Sequence, residues 1–436
     1  GLVSQLVAPG AITATNVGTE ETGAIVLTTN RNIVNGAVAA SAVAGSGTGN
    51  LSAGDLTASA IDLVSSGYVL LNGSQNAAGG SIRLIAETGN IHQNGPKITA
   101  NTLSASAAGN VELGAGASGT PNSVAKLTSL TSTSGYISFA GDSYEITGPI
   151  TTPGAVGLSS TGIITGAGLI TAGSLSFDAA GTLNVAGNAN IDYSNASGDI
   201  TINASGGISM AGGMRLNNHV LSLNAATGSI LQTGDAIYNG GTVRATAAGN
   251  IDFGGQTNYI DGFYGTSVAG DISVKSVGGL TFGVDTPGDV TIDAGGVAIA
   301  SSDLRAGTLG ITAGNYISLI APTLDVGSYR YLTSTGSGVQ VTTNSVINIG
   351  GNVTAASSAD VNLTSNAGAI NQTAGTIAGR QIQIQAAGSI VQGAAAVIHG
   401  TGVISAVTRV QAGDDLFLAG ANQLSHYGVV FLLWGS

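Results

Sequence analysis

The stretch Thr88-Gly-Asn-Ile-His-Gln-Asn-Gly95 recurs, little changed, as Thr227-Gly-Ser-Ile-Leu-Gln-Thr-Gly234. Each copy is followed by an isoleucine, Ile98 or Ile237, and then by Thr102-Leu or Thr242-Val. Next come Ala107-Ala-Gly-Asn-Val-Glu-Leu113 and Ala247-Ala-Gly-Asn-Ile-Asp-Phe253. A third copy starts at Ala367-Gly-Ala-Ile-Asn-Gln372, passes Ile377, Ile382 and Ile384, and reaches Ala386-Ala-Gly-Ser-Ile-Val-Gln392. A fourth overlaps it from Gly388 and ends at Ala419-Gly-Ala-Asn-Gln-Leu424.

The step within these modules is nearly constant. Ile91 to Val111 and Ile370 to Ile390 are 20 residues, and Ile230 to Ile251 is 21. That length suits one coil of a parallel β-helix, in which three short strands are joined by turns and each coil rests on its neighbour. Ile382-Gln-Ile-Gln385, Leu221-Ser-Leu223, Val361-Asn-Leu363 and Leu175-Ser-Phe177 alternate apolar and polar, the period-two mark of a strand with one buried face. Ala-Gly-Asn, Ala-Gly-Asp and Ser-Gly-Asp punctuate the strands, where Gly and Asn tolerate turn backbone. No helical period lasts beyond a turn. The expected fold is therefore all-β, a right-handed parallel β-helix (β-solenoid) of roughly 20 coils of about 20 residues. With coils about 4.8 Å apart, it would be about 100 Å long. Residues 1–80 read as less regular coils, 81–425 as regular repeats and 426–436 as a hydrophobic cap or assembly segment.

Composition agrees. Among 436 residues, 70 are glycine, 43% are hydrophobic, 4% aromatic and only 8% charged; a usual charged share is about 25%. So many β-branched residues and so few charges argue against disorder. Glycine without a three-residue period, and only 7 prolines, excludes collagen. Stacked identical coils want small and β-branched residues, layered like on like inside, with Asn or Thr ladders at the corners.

Net charge is −12, and the 11 Lys and Arg are scattered from Arg31 to Arg409. Without a basic patch, neither nucleic acid nor an anionic membrane is an expected partner. Cysteine is absent, which removes disulfides, thiolate chemistry and Cys-bound metals. Gly1–Gly10 lacks the basic and apolar regions of a signal peptide, so the sequence reads as a mature form or an excised segment. No apolar run approaches the ~18 residues of a transmembrane helix.

Gly228-Ser-Ile-x-Gln-x-Gly234, Ile237, Gly241-Thr-Val-x-Ala245 and Ala248-Gly-Asn-Ile-Asp-Phe253, followed by Asn258-Tyr-Ile260, Gly270-Asp-Ile-Ser-Val274 and Gly279-Leu-Thr-Phe282, resemble the repeats of filamentous-haemagglutinin-like exoproteins and related autotransporter passengers. The earlier copy continues the likeness through Asn122-Ser-Val124 and Gly135-Tyr-Ile-Ser-Phe139. The resemblance spans most of the chain from about residue 80. It implies an adhesin on the bacterial outer surface, exported by two-partner secretion or autotransport through an outer-membrane partner. Host or bacterial surface glycans and proteins, or copies of itself, are the partners it implies. It brings no catalytic motif and no cofactor, and neither a recognisable secretion domain nor a membrane β-barrel accompanies it.

The remaining candidates for chemistry are few. Asp252, Asp261 and Asp271 lie near Lys275, the nearest match to the carboxylate-and-base face of polysaccharide-cleaving β-helices. Solubilising turn carboxylates are the plainer reading. Asp285, Asp289 and Asp293 recur every four residues, a spacing that suits Ca²⁺, but in turn-like text. His92, His219, His399 and His426 have no carboxylate or serine partner at a recognisable spacing. Tyr193, Tyr259, Tyr264, Tyr329 and Tyr331 could line a glycan-binding face or be isolated aromatics. The segment Val429, Val430, Phe431, Leu432, Leu433 and Trp434 is the most hydrophobic run and contains the only Trp. It reads either as a closing strand or as an edge that docks onto another subunit, giving a self-assembling filament.

Overall fold

The structure, a computed structural model, describes residues 12–18, 24–27, 37–44, 50–114, 120–166, 170–179, 183–185, 199–210, 214–321, 323–400, 408–423 and 429–433. The chain divides into two compact units, Gly1–Ala226 and Thr227–Ser436. Both are built from parallel strands stacked in a β-solenoid, with no helix among the described residues. Those residues make about 15 turns about 21 residues apart, against the roughly 20 turns expected from the repeat. Among the described residues no helix is long and apolar enough to cross a membrane.

In the first unit one ladder can be followed rung by rung. Leu51 pairs with Val69, Val69 with Ile91, Ile91 with Val111, and Val111 with Ile137. It continues through Val156, Leu175 and Ile200 to Leu221. All of these side chains are buried. A second ladder carries Ile61, Ile82, Leu103 and Leu127 on another face of the same coils. The second unit repeats the plan. Phe263 pairs with Phe282, Phe282 with Ala300, and the column runs on through Leu319, Val341, Leu363 and Ile384 to Val410. The period-two text explains this directly: in Val361–Ser365 and Ile382–Ala386 every second residue is buried. Each such Val, Leu, Ile or Phe contributes about 1.5–3 kcal/mol when fully buried.

Aromatic rungs need room, and neighbouring glycine supplies it. A Cβ on Gly265 would lie 2.7 Å from the Phe263 ring, so a side chain there would force the ring to shift. Phe263 in turn packs edge-on against Phe253, with ring centroids 5.9 Å apart.

Polar side chains stitch the coils. Ser267 sits at a corner, where its hydroxyl donates to the Gly249 carbonyl of the preceding coil and accepts from the Gly270 N–H. Ser132, Thr286 and Ser365 repeat the pattern with Gly109, Gly270 and Ser345 as acceptors. A hydroxyl both donates and accepts, so one residue satisfies a turn N–H and a neighbouring C=O. The Gly-Asn and Gly-Asp punctuation has an equally local cause. Asn250 Oδ1 accepts the Asp271 N–H, and Asp271 Oδ1 accepts the Asp289 N–H, each bond joining one coil to the next.

The repeated Gln and Asn of the modules meet inside. Gln93 and Asn122 exchange a pair of amide hydrogen bonds of 2.9 Å. Gln232 and Asn258 do the same at 2.8 and 2.9 Å, and Gln392 and Asn422 at 2.8 Å each. In every copy the Asn Oδ1 also accepts the N–H of the module's isoleucine, Ile98, Ile237 or Ile398. A buried amide must satisfy both its donor and its acceptor, and this clasp does so without water.

Candidate functional site

The outward faces are where a partner could be engaged, and most of their charge already has a local task. Arg83 pairs with Asp62, Lys126 with Glu145, Lys275 with Asp293, Arg305 with Asp285 and Arg380 with Asp360, each across neighbouring coils. The hydrogen bond to the Asp360 carboxylate raises the Arg380 guanidinium above its ordinary value. Exposed pairs of this kind are screened by solvent and contribute little to stability.

The group Asp252, Asp261, Asp271 and Lys275 does not assemble as one site. Asp252 and Asp271 share an open depression of about 290 Å³ with Asn250, Asp289, Thr291 and Arg330. Asp261 instead accepts the Gly241 N–H at 3.0 Å, and Lys275 reaches Asp293 at 3.6 Å. Arg330, which sequence reasoning missed, supplies the cation: its Nη1 lies 3.0 Å from Asp289 Oδ2 and its Nη2 3.1 Å from Thr291 Oγ1. Only the coil register reveals that contact, because Arg330 reaches back 41 residues.

Asp285, Asp289 and Asp293 do not converge on a cation site. They pair separately with Arg305, Arg330 and Lys275. No group of three or more metal-ligating side chains occurs among the described residues.

Two histidines have carboxylate partners that linear spacing hides. His92 Nδ1 contacts Glu112, its register partner on the next coil, while Nε2 lies 2.7 Å from Asn94 Oδ1. His219 Nδ1 lies 3.9 Å from Asp199. His399 lies one rung above Ala378, and His426 falls outside the described residues.

The tyrosines divide. Tyr329 is a core residue only 2% exposed, and burial pushes its hydroxyl well above the ordinary range. It cannot belong to a glycan-binding face. Tyr331 packs its ring against Gly310 on the preceding coil. Tyr259 is half exposed and stacks on Tyr238, centroids 6.1 Å apart, beside a turn in which Asn239, Gly240 and Gly241 all have positive φ. Tyr193 lies outside the described residues. Val429–Leu433 forms a strand parallel to Thr408–Ala412, with Val429, Val430, Phe431, Leu432 and Leu433 opposite Thr408, Arg409, Val410, Gln411 and Ala412. Trp434 lies outside the described residues.

Tyr264 marks the most differentiated surface feature of the second unit. Arg244, Tyr264 and Gly283 are register partners on three successive coils, with Gly283 buried. The Arg244 guanidinium lies 4.9 Å from the Tyr264 ring centroid, a cation–π contact. Opposite Gly283 the next strand breaks register, and Ser301, Ser302 and Asp303 fill the irregularity. The Tyr264 and Ser301 hydroxyls lie 3.2 Å apart. The result is an open notch of about 400 Å³, bounded further by Thr266 and Asp285. A larger depression of about 490 Å³ lies in the first unit, along Ala140, Ser159, Asp178, Asn203 and Asn224, but no aromatic or cationic side chain lines it.

No protein-family model matches the chain, and neither a curated protein nor a solved structure is significantly similar to it.

Proposed function

We propose that the chain is a cell-surface structural and adhesive protein, a rod-like scaffold whose outward faces bind surface glycans or proteins. The observation that carries this reading is the stacking itself. Core residues, corner hydroxyls, amide clasps and most charged pairs all join one coil to the next. Such a framework grows by repetition and presents long lateral faces, which suits a scaffold better than an enclosed catalytic pocket. The filamentous-haemagglutinin-like repeat text supports export to the bacterial outer surface with the help of an outer-membrane partner. The test is adherence: the purified chain, coupled to beads and offered to a glycan array, matrix proteins and bacterial cells, is expected to bind at least one class saturably. Absence of binding to all three overturns the adhesive part.

A second reading, a self-assembling filament subunit, is favoured by one observation. Val429–Leu433 is paired on one side only among the described residues, by Thr408–Ala412. A strand of this apolar composition can pair with a strand of another copy. Deleting residues 428–436 is then expected to abolish polymer while preserving β circular dichroism, and an unchanged assembly state sinks that reading.

A further inference from the structure

We infer that the notch around Tyr264 is a saccharide subsite, one that takes a neutral pyranose of a surface polysaccharide. The inference rests on the adhesive reading and names the ligand class and the residues that reading leaves open. Charge usage is the first ground. Most described cations in the second unit are held by a carboxylate: Lys275 by Asp293, Arg305 by Asp285, Arg330 by Asp289 and Arg380 by Asp360. Arg244 is held instead on the Tyr264 ring and lines the notch without an ion-pair partner among the described residues. Asp303, across the notch, likewise has no hydrogen-bond or ion-pair partner among the described residues.

Shape is the second ground. Gly283 carries no side chain at the rung above Tyr264, and a Cβ there would lie 1.7 Å from Ser302 Oγ. Ser302 of the irregular strand thus takes the place that a side chain at Gly283 would fill, and the bulge itself shapes the wall of the notch; such bulges recur where a surface is re-aimed for binding. Its volume of about 400 Å³ falls within the ~300–1,000 Å³ typical of small-molecule sites.

The chemistry matches a sugar. A pyranose has an apolar C–H face, which an aromatic ring accepts, and a rim of vicinal hydroxyls. A guanidinium donates to those hydroxyls, a carboxylate accepts from them, and Ser302 and Thr266 do either. Arg244 lines the notch with Asp285 and Asp303, and Arg305, outside the lining, pairs with Asp285, so no excess of cations is present to select an acidic sugar.

The test uses the full chain and four variants, Arg244→Ala, Asp303→Asn, Gly283→Ala and the distant control Arg380→Ala. The probes are neutral hexaoses of glucose, galactose, mannose and N-acetylglucosamine, with oligogalacturonate as the acidic counterpart, read by titration calorimetry. We expect a neutral hexaose to bind the parent chain. Arg244→Ala and Asp303→Asn should each weaken it about tenfold or more, while Arg380→Ala leaves it unchanged. Gly283→Ala reports on the rung itself, and matching thermal melts for the other variants exclude unfolding as the cause. Binding that ignores both Arg244→Ala and Asp303→Asn overturns the subsite while leaving the adhesive reading intact. Binding of oligogalacturonate alone overturns the neutral assignment. No saccharide binding, with adherence to protein surfaces retained, overturns the subsite alone. Loss of all adherence overturns both.

Discussion

Asn122 lies across the core from Gln93, 29 residues earlier in the chain, and the two side-chain amides satisfy each other completely enough that Asn122 has no exposed surface. Asn258 with Gln232 and Asn422 with Gln392 reproduce the relationship. The clasp turns a coil of irregular length into a fixed one, because the Asn also caps the isoleucine N–H of the strand it faces.

Breaking one half of a clasp should therefore cost more than removing both. Asn258→Leu leaves the Gln232 Oε1 and the Ile237 N–H without their partner, while Gln232 Nε2 keeps the Asp235 carbonyl, and is expected to destabilise by about 2–4 kcal/mol. The double variant Gln232→Leu with Asn258→Leu should recover part of that loss. Urea denaturation of both variants checks it, and equal stability of the single and double variants would contradict the clasp.

Tyr144 gives the opposite sign. Its ring packs edge-on against Phe139 at 4.9 Å, but its buried hydroxyl has no hydrogen-bond partner among the described residues. Burial accordingly pushes that hydroxyl far above its ordinary ionisation range. Tyr144→Phe keeps the ring contact and removes the unpaired group, so a gain of about 1 kcal/mol is expected in chemical denaturation. A loss of similar size would show that the hydroxyl is satisfied.

The surface array His92, Glu112 and Tyr136 makes stability depend on pH in a defined direction. Burial alone would raise the Glu112 carboxyl, but hydrogen bonds from Tyr136, His92 and Asn110 outweigh it and hold the group below its ordinary value. The same contact raises the Tyr136 hydroxyl. A carboxyl lowered on folding contributes stability that is present above its unfolded value, about 4.3, and lost as pH falls through the lower folded value. Thermal melts from pH 7 to pH 3 should show the parent chain converging on Glu112→Gln as acid is added. A gap that stays constant with pH would rule out this linkage.

The coil architecture was legible because its signal is short-range and repeated. Alternation in Val361–Ser365, hydroxyls before corner glycines, and the Gln and Asn of each module are visible as text. Their tasks were not, since Gln93 and Asn122 meet only after a full coil has closed. Coil length also varies, and that variation hid the surface groupings. Lys275 stands opposite Asp293, 18 positions on, not beside the nearer Asp271, and Arg330 skips a coil to reach Asp289. Tyr329 was indistinguishable from an exposed tyrosine because the strand Leu324–Ser334 breaks its alternation on both sides of it. The notch at Gly283 depends on a register break between Phe282 and Val284 that no local pattern announces.

The stacking register is the claim on which the rest depends, and a chain without cysteine allows it to be tested by cross-linking. Asn362 and Gln383 are outward-facing register partners on adjacent coils, whereas Gln385 is two positions further along the same strand. Adjacent strands lie about 4.8 Å apart, within the ~4.4–6.8 Å Cα separation a disulfide spans. The variant Asn362→Cys with Gln383→Cys is expected to form an intramolecular disulfide rapidly under mild oxidation, and Asn362→Cys with Gln385→Cys is not. Equal oxidation of the two, or preferential oxidation of the second, would contradict the stacked parallel coils.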